Sequence, residues 1–278
     1  MDKYEARKNK LKKAKKRKKI LKILFLVVIL LALIFLVLLK VGLFNVKSIS
    51  VKGVKSASVE EVKKRSGLKI GENYLLVSKK NRARDISSIP VVKTASIKFS
   101  LNGEADINIV ERTPVAQIVN YTDYYVIDSE LKIIDVKNEP MQNLLELNGI
   151  SSKELKLGNF ISDEEDNKLE LLKKIFENKA IFAKLKSINL NEENAQFITK
   201  DNINIEFGSY RDIEYKFEML EKIFSDIEKS NKKYTDIYME KGEDPIAVES
   251  GSSEEDVEKS TDTNLNNDLE TSTELNSD

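Results

Sequence analysis

Two side chains are missing altogether from this 278-residue sequence, which has neither cysteine nor histidine. Without cysteine there are no disulfides, no thiol chemistry and no haem attachment, a composition that an exported bacterial protein tolerates. Without histidine, serine-histidine triads, HExxH zinc sites and imidazole acid/base chemistry are excluded. Tryptophan is absent too. Neither GxxxxGK[ST] nor GxGxxG occurs, and Gly71 and Gly103 read as turn residues, so a nucleotide site has no support. No cofactor is expected.

Net charge is also lacking, but only in the sum: 46 basic and 46 acidic residues cancel along the chain. Residues 1–22 carry twelve Lys or Arg, reduced to +10 by Asp2 and Glu5. From Glu249 to Asp278 there are ten acids and one base, Lys259. The region between is nearly neutral, which argues against a nucleic-acid surface. The basic block stands directly before Ile23–Leu39, seventeen apolar residues without a break. As a helix these span about 26 Å, and Lys22 and Lys40 can snorkel to extend the segment to bilayer thickness. No small-x-small cleavage site follows, so the segment reads as an uncleaved signal anchor. The positive-inside rule puts residues 1–22 in the cytoplasm and the chain after about residue 44 outside. The acid-rich terminal stretch has no aromatic residue and reads as a disordered tail. It has no EF-hand spacing.

Residues 46–111 are well punctuated. Val46, Ile49 and Val51 indicate a strand ended by Gly53. Ser58-Val-Glu-Glu61 is a capping box that opens a helix closed at Gly67. A second helix, about Lys79 to Ser88, is stopped by Pro90. Val91–Leu101 and Ala105–Glu111 are strands joined by a hairpin turn at Asn102-Gly103. The last strand then runs into "INIVERTPVAQI", where Ile107 and Ile109 share one side and the adjacent Glu111 and Arg112 precede Pro114. Pro114 prevents the strand from continuing as an interior one. Glu111 and Arg112 point to opposite faces of a strand, so they form no common catalytic site unless the backbone bulges.

Farther along, "DYYVIDSELKIIDV" reads as a hairpin around Asp128-Ser129-Glu130, and "LLELNGI" as a short strand. Ser162-Asp-Glu-Glu165 is another capping box, followed by a Leu169, Leu172, Phe176 stripe. The acids of Asp163–Asp166 suit a helix start, where they compensate the macrodipole, better than a cation site. "SINLNEENAQFITKDNINIEFGS" supplies further strands with a turn at Asp201-Asn202. A longer helix follows with Ile213, Phe217, Leu220, Phe224 and Ile227 on one face. Arg211, Asp212, Lys216, Glu218, Glu221 and Lys222 are assigned to its opposite face. "YTDIYMEKGEDPIAVE" closes the patterned region with two strands, the first bearing aromatic groups on both faces.

Strand, helix, helix, strand, strand in about seventy residues beside a membrane span resembles a POTRA module. With the Glu-Arg-x-Pro-Val-Ala ending, the "IDSEL" turn and the closing Tyr-x-Asp-hydrophobic strand, residues 20–249 resemble the FtsQ/DivIB family of bacterial division proteins. Family members often carry Arg after that closing motif, where this chain has Tyr238. The implied fold class is α+β. A cytoplasmic segment (1–22) and a transmembrane anchor (23–43) precede an extracytoplasmic POTRA module of β-α-α-β-β order (44–113). A mixed β-sheet domain flanked by helices (114–249) and the acidic tail (250–278) follow.

The resemblance implies a non-enzymatic scaffold at the division septum. Its partners would be FtsB/DivIC-type and FtsL-type bitopic proteins, besides the bilayer, with no nucleic acid, metal or small-molecule substrate. Strand addition at the closing edge points to Tyr234, Ile237, Tyr238, Met239, Ile246 and Val248 as partner-binding residues, flanked by the exposed face of the 211–230 helix. Glu111, Arg112 and Pro114 are assigned to a joint between the modules. Two competing readings are a POTRA-bearing component of another envelope or sporulation assembly, and a wall-acting hydrolase. The hydrolase would need a pocket of acids from several elements.

Overall fold

The computed structural model describes residues 3–150, 155–161, 167–230, 232–240 and 244–251, with side chains from residue 16 onward. It divides into two compact units, Met1–Glu111 and Arg112–Asp278. The capping box and acid cluster of residues 162–166, and the tail from residue 252, lie outside the described residues.

The first unit starts with α1 (Lys3–Lys40). Its segment Lys16–Lys40 is, among the described residues, the one helix long and apolar enough to cross a membrane. Side chains from Ile23 to Val37 are exposed all round the helix, a surface that suits lipid and has no polar face for water. β1 (Ser48–Lys52), α2 (Val59–Ser66), a single 3-10 turn (Tyr74–Leu76), α3 (Lys79–Ser87), β2 (Val92–Phe99) and β3 (Glu104–Glu111) follow. This is the expected β-α-α-β-β order. The Ser58 hydroxyl accepts from the Glu61 amide, and Gly67 closes α2 in the left-handed region at φ 60°. The sheet order is β1-β3-β2, with β1 parallel and β2 antiparallel to β3. A parallel β1–β3 pair requires a crossover, and α2 and α3 supply it. The core gathers Val46, Val62, Ile86, Ile89, Val92, Ile107 and Ile109.

The second unit is a nine-stranded mixed sheet in the order β12-β11-β10-β9-β8-β7-β4-β5-β6. Its strands are β4 (Ala116–Asn120), β5 (Asp123–Ile127), β6 (Ile133–Lys137), β7 (Leu145–Asn148), β8 (Leu185–Leu190), β9 (Asn194–Thr199), β10 (Asn204–Ser209), β11 (Tyr234–Tyr238) and β12 (Ile246–Glu249). α4 (Asn167–Glu177), α5 (Lys179–Lys184) and α6 (Ile213–Lys229) join their buried side chains to one face of the sheet in a single apolar cluster. At its centre Phe197 and Phe207 stack at 4.8 Å, and Phe217 of α6 meets Phe207 edge-on at 5.8 Å.

Two details differ from the sequence reading. α5 was not anticipated; the Asn178 side chain accepts from the Ile181 amide and starts a second helix directly after α4. Lys216, assigned to the solvent face of α6, is only 4% exposed. It sits three residues after Ile213 and four before Leu220, inside the apolar stripe. Burial is tolerated because its ammonium donates to the Ser209 carbonyl and to Glu240.

Candidate functional site

The charged pair at the end of β3 separates into two sites, one in each unit. Glu111 turns to the loop after β1 and accepts from the amides of Lys55 (2.7 Å), Ser56 and Ala57 (3.0 Å) and from the Ser56 hydroxyl. Partial burial pushes its pKa up, but these donors outweigh that and hold it at about 2. A carboxylate so fully engaged is a fastener for the loop and a poor general base. Arg112 instead belongs to the second unit. Its side chain is 8% exposed and donates from Nη1 to Asp128 and, at 2.7 Å, to Glu130. Burial opposes the guanidinium charge and the two carboxylates restore it, so its pKa is raised.

Asp128 is the organiser of the turn that follows β5. Its Oδ1 accepts from the Glu130 amide at 3.0 Å and the Lys132 amide at 2.9 Å, and Leu131 takes φ 62° there. Thus the "ERTPV" and "IDSEL" stretches, far apart in sequence, meet through Arg112 and Asp128. The Arg112 guanidinium and the Lys132 ammonium also lie over the Phe160 ring, at 5.5 and 5.3 Å from its centre. Burial, and then the Arg112 charge, lower the pKa of Lys132.

Phe160 belongs to a segment that covers one edge of the large sheet. The Ile133 amide of β6 donates to the Asn159 carbonyl (2.9 Å), Gly158 donates to the Ile133 carbonyl (2.8 Å), and Ile161 donates to Leu131 (2.8 Å). Farther along β6 the Val136 amide is taken by the Asp135 carboxylate at 2.9 Å. This edge is covered at its start, around Ile133, and capped at the Val136 amide.

The other edge is β12. It pairs only with β11, in the register Tyr238↔Ile246, Ile237↔Ala247 and Asp236↔Val248. Its outer backbone groups meet no further strand among the described residues. Strand alternation decides which side chains share a surface. Ile237 is fully buried and Ala247 packs beside it on the core, so Tyr238, Ile246 and Val248 stand on the opposite face, each half-buried. Two cross-strand rows lead to them. One runs Gln196, Glu206, Tyr238, Ile246 and the other Ile198, Asn204, Asp236, Val248. Apart from Ile198 at the inner end of the second row, the inner parts are polar and internally bonded, Gln196 to Glu206 at 3.0 Å and Asn204 to Asp236 at 3.3 Å. Apolar groups stand at the edge.

The six residues assigned to partner binding are therefore not one surface. Tyr238, Ile246 and Val248 are brought together, with 39%-exposed Ile198 completing the rows. Ile237 and Met239 are core residues and Tyr234 packs against the same core, because α6 covers that face. The sequence signal missed was the period-two split within "TDIYM" itself.

A clamp holds this edge in place. Glu240, just beyond β11, accepts from the Ser209 amide at 2.9 Å, the Ser209 hydroxyl and Lys216. Burial again opposes its charge, and Lys216 and Ser209 bring its pKa to about 2. Gly208 makes room: a Cβ there would stand 2.2 Å from the Glu240 carboxylate. The loss of a side chain at residue 208 is what admits the carboxylate.

A helix long and apolar enough to cross a membrane, a small β-α-α-β-β module and a helix-backed mixed sheet define a protein of the POTRA-bearing class. The family profile described as "POTRA domain, FtsQ-type" matches residues 44–112, and that described as "FtsQ/DivIB, C-terminal related" matches residues 113–240. The chain belongs to the FtsQ/DivIB family of cell-division proteins. Among its relatives is Cell division protein DivIB of Clostridium acetobutylicum, 31% identical over 138 residues, covering 49% of this chain and 55% of that one. The match thus spans little more than half of that relative's length. Cell division protein DivIB of Clostridium botulinum is 26% identical over 211 residues, 73% of this chain and 81% of the relative. The protein of the same name from Clostridium tetani is 27% identical over 186 residues.

Proposed function

We propose that this chain is a non-enzymatic, membrane-anchored scaffold of the division machinery, with residues beyond the anchor on the outer side of the membrane. Its partners are FtsB/DivIC-type and FtsL-type bitopic proteins, which it gathers at the septum. They dock by adding a strand to β12, with Tyr238, Ile246 and Val248 reading the side chains on one face. The observation that carries this reading is the asymmetry of the large sheet. The start of β6 is covered by residues 158–161 and its Val136 amide is capped by Asp135, whereas among the described residues the outer backbone of β12 pairs with no further strand and stands beside an apolar fringe. An open edge is a liability in a solitary protein and a docking site in a scaffold.

The apolar span adds a second source of affinity, because confinement in one bilayer raises the effective concentration of bitopic partners. A C-terminal family match beside the POTRA-type one favours this reading over other POTRA-bearing assemblies. Glu111, Arg112 and Pro114 form the joint. Each charged residue is fastened within its own unit, which fixes the chain on either side of the proline-bearing link.

The test is co-purification of the detergent-solubilised full-length protein with the two bitopic partners. Ile246→Pro should abolish capture, since proline removes an edge amide and bends the strand. Val136→Pro on β6 should leave it intact. Equal capture by wild type and Ile246→Pro, with both folded by circular dichroism, would sink strand addition at β12.

A further inference from the structure

The scaffold reading leaves one surface of the first unit without a role. Apart from α1 and its exit at Val41 and Leu43, the exposed large apolar side chains described there are Ile70, Leu75, Leu76, Leu101 and Val110. Four of these five stand at one end. The chain leaving α1 runs as an extended segment through residues 44–47, held between two loops. Val46 donates to the Glu72 carbonyl (2.8 Å) and accepts from the Gly71 amide (2.7 Å), and Tyr74 donates to Phe44 (2.9 Å). From the other side Lys47 donates to the Gly103 carbonyl at 2.7 Å. Ile70, Leu75 and Leu76 belong to the first loop and Leu101 to the second. Leu76 and Leu101 are each 85% exposed, which no requirement of folding explains.

The position of this end along the span follows from its aromatic groups. Phe44 lies 6.1 Å from Phe35 of α1 and 5.9 Å from Tyr74, which stacks on Phe99 at 5.2 Å. Phe35 is five residues before the last residue of α1, about 7.5 Å down its axis. A bilayer that covers Phe35 therefore brings Phe44, and the loops bonded to its segment, to headgroup level. Exposed lysines surround the same end. Lys69 adjoins Ile70, Lys47 lies against Gly103, and Lys79 stands 5.3 Å over the Phe99 ring. Apolar tips with lysines around them are the composition of an interfacial anchor, in which apolar groups enter the acyl boundary while ammonium groups reach phosphate.

We propose that this end of the module is a second membrane contact: Ile70, Leu75, Leu76 and Leu101 insert into the interfacial layer of the leaflet in which α1 ends, and Lys47, Lys69 and Lys79 bind anionic headgroups. The occupant is lipid rather than a protein groove-filler, because the tips stand on two separate loops and continue the surface of the span. Such docking would restrict the module's tilt on its short tether. The inference rests on the anchor reading, so its test carries a control for that reading.

The absence of cysteine permits single-site labelling of the full chain in liposomes containing phosphatidylglycerol. Leu76→Cys, Leu101→Cys, the span control Leu31→Cys and the far-end control Glu60→Cys each take an environment-sensitive fluorophore. Glu60 lies near the loop held by Glu111, at the other end of the eight-residue β3, about 25 Å away. A nitroxide on the lipid should quench and blue-shift the labels at residues 31, 76 and 101 and leave that at 60 in water. Quenching at 31 alone would overturn the docking and spare the anchor. No quenching at 31 would overturn both. Tips shielded from aqueous iodide but unquenched by lipid would mean that a second copy covers them, which also overturns the proposal.

Discussion

The two edges of the nine-stranded sheet are made of similar short strands, yet among the described residues one is partly covered and the other meets no further segment. β6 is five residues, Ile-Ile-Asp-Val-Lys, and β12 is four, Ile-Ala-Val-Glu, both mostly apolar and both ending on a charge. The difference comes from what lies beside them. The entry to β6, from Leu131 to Ile133, is bonded to residues 158–161, and that segment is pinned through Phe160 by Arg112 and Lys132. Among the described residues, the Lys232–Glu249 ion pair lies near the end of β12 and the Glu240 clamp behind it, and neither covers its outer backbone. The comparison teaches that the arginine of the linking motif acts on an edge. By holding Asp128, Glu130 and Phe160 together it fixes the segment that bonds to Ile133, and under the strand-addition proposal this directs docking to β12.

The largest disturbance of this contrast should come from Arg112→Ala. Removing the cation leaves Asp128, 4% exposed, without its charge partner, and breaking a buried pair in this way costs about 3–5 kcal/mol. Urea unfolding followed by the second unit's signal should report that loss, and the Ile133 and Ile161 amides should exchange faster with solvent.

The open edge should respond next, through Lys216→Ala, which strips Glu240 and the Ser209 carbonyl of their donor at a cost of about 1–3 kcal/mol. Its pH dependence has a definite sign. Glu240 and Glu111 have folded pKa values of about 2, below the ordinary 4.5. A depressed carboxylate stabilises the fold fully above its unfolded value and loses that contribution as pH falls through the folded one. Thermal melts of the wild type should therefore fall between about pH 5 and pH 2. Lys216→Ala should flatten the part of the slope due to Glu240, and Glu111→Gln the part due to Glu111.

Phe160→Ala should cost less, about 0.5–1 kcal/mol for each cation–π contact at a half-exposed ring. Its sharper readout is association. With the cover over β6 loosened, concentration-dependent self-association by light scattering should rise, while Ile246→Pro leaves that property unchanged. The smallest effect belongs to Lys174→Ala, whose partner Glu214 is 83% exposed. The surface pair should show little coupling in a double-mutant cycle, because solvent screens it, and partner capture should not change.

Much of the architecture was legible because local rules agree with the fold. Ser58 and Gly67 bound α2, Pro90 ends α3, and Asn102-Gly103 turns β2 into β3. α5 was missed because six residues are too few for helical periodicity to emerge, and its start depends on a single Asn178 cap. Lys216 was misassigned because charge was given more weight than its place in the stripe. At the candidate site, the closing strands were identified in order, but treating "YTDIYM" as one patch mixed the two faces of β11. Only pairing with β12 and cover by α6 separate Tyr238 from Ile237 and Met239.

Sequence alone determined the apolar span, the β-α-α-β-β succession of the first unit and the presence of a final strand, since apolar runs, caps and turn residues act over a few neighbours. Tertiary structure decided that Glu111 binds one unit and Arg112 the other, that Arg112 reaches Asp128 sixteen residues on, and that residues 158–161 cover the start of β6 while none of the described residues covers β12. Those outcomes depend on which segments become neighbours across the sheet, and hydrogen bonds between distant segments leave no period in the chain to read.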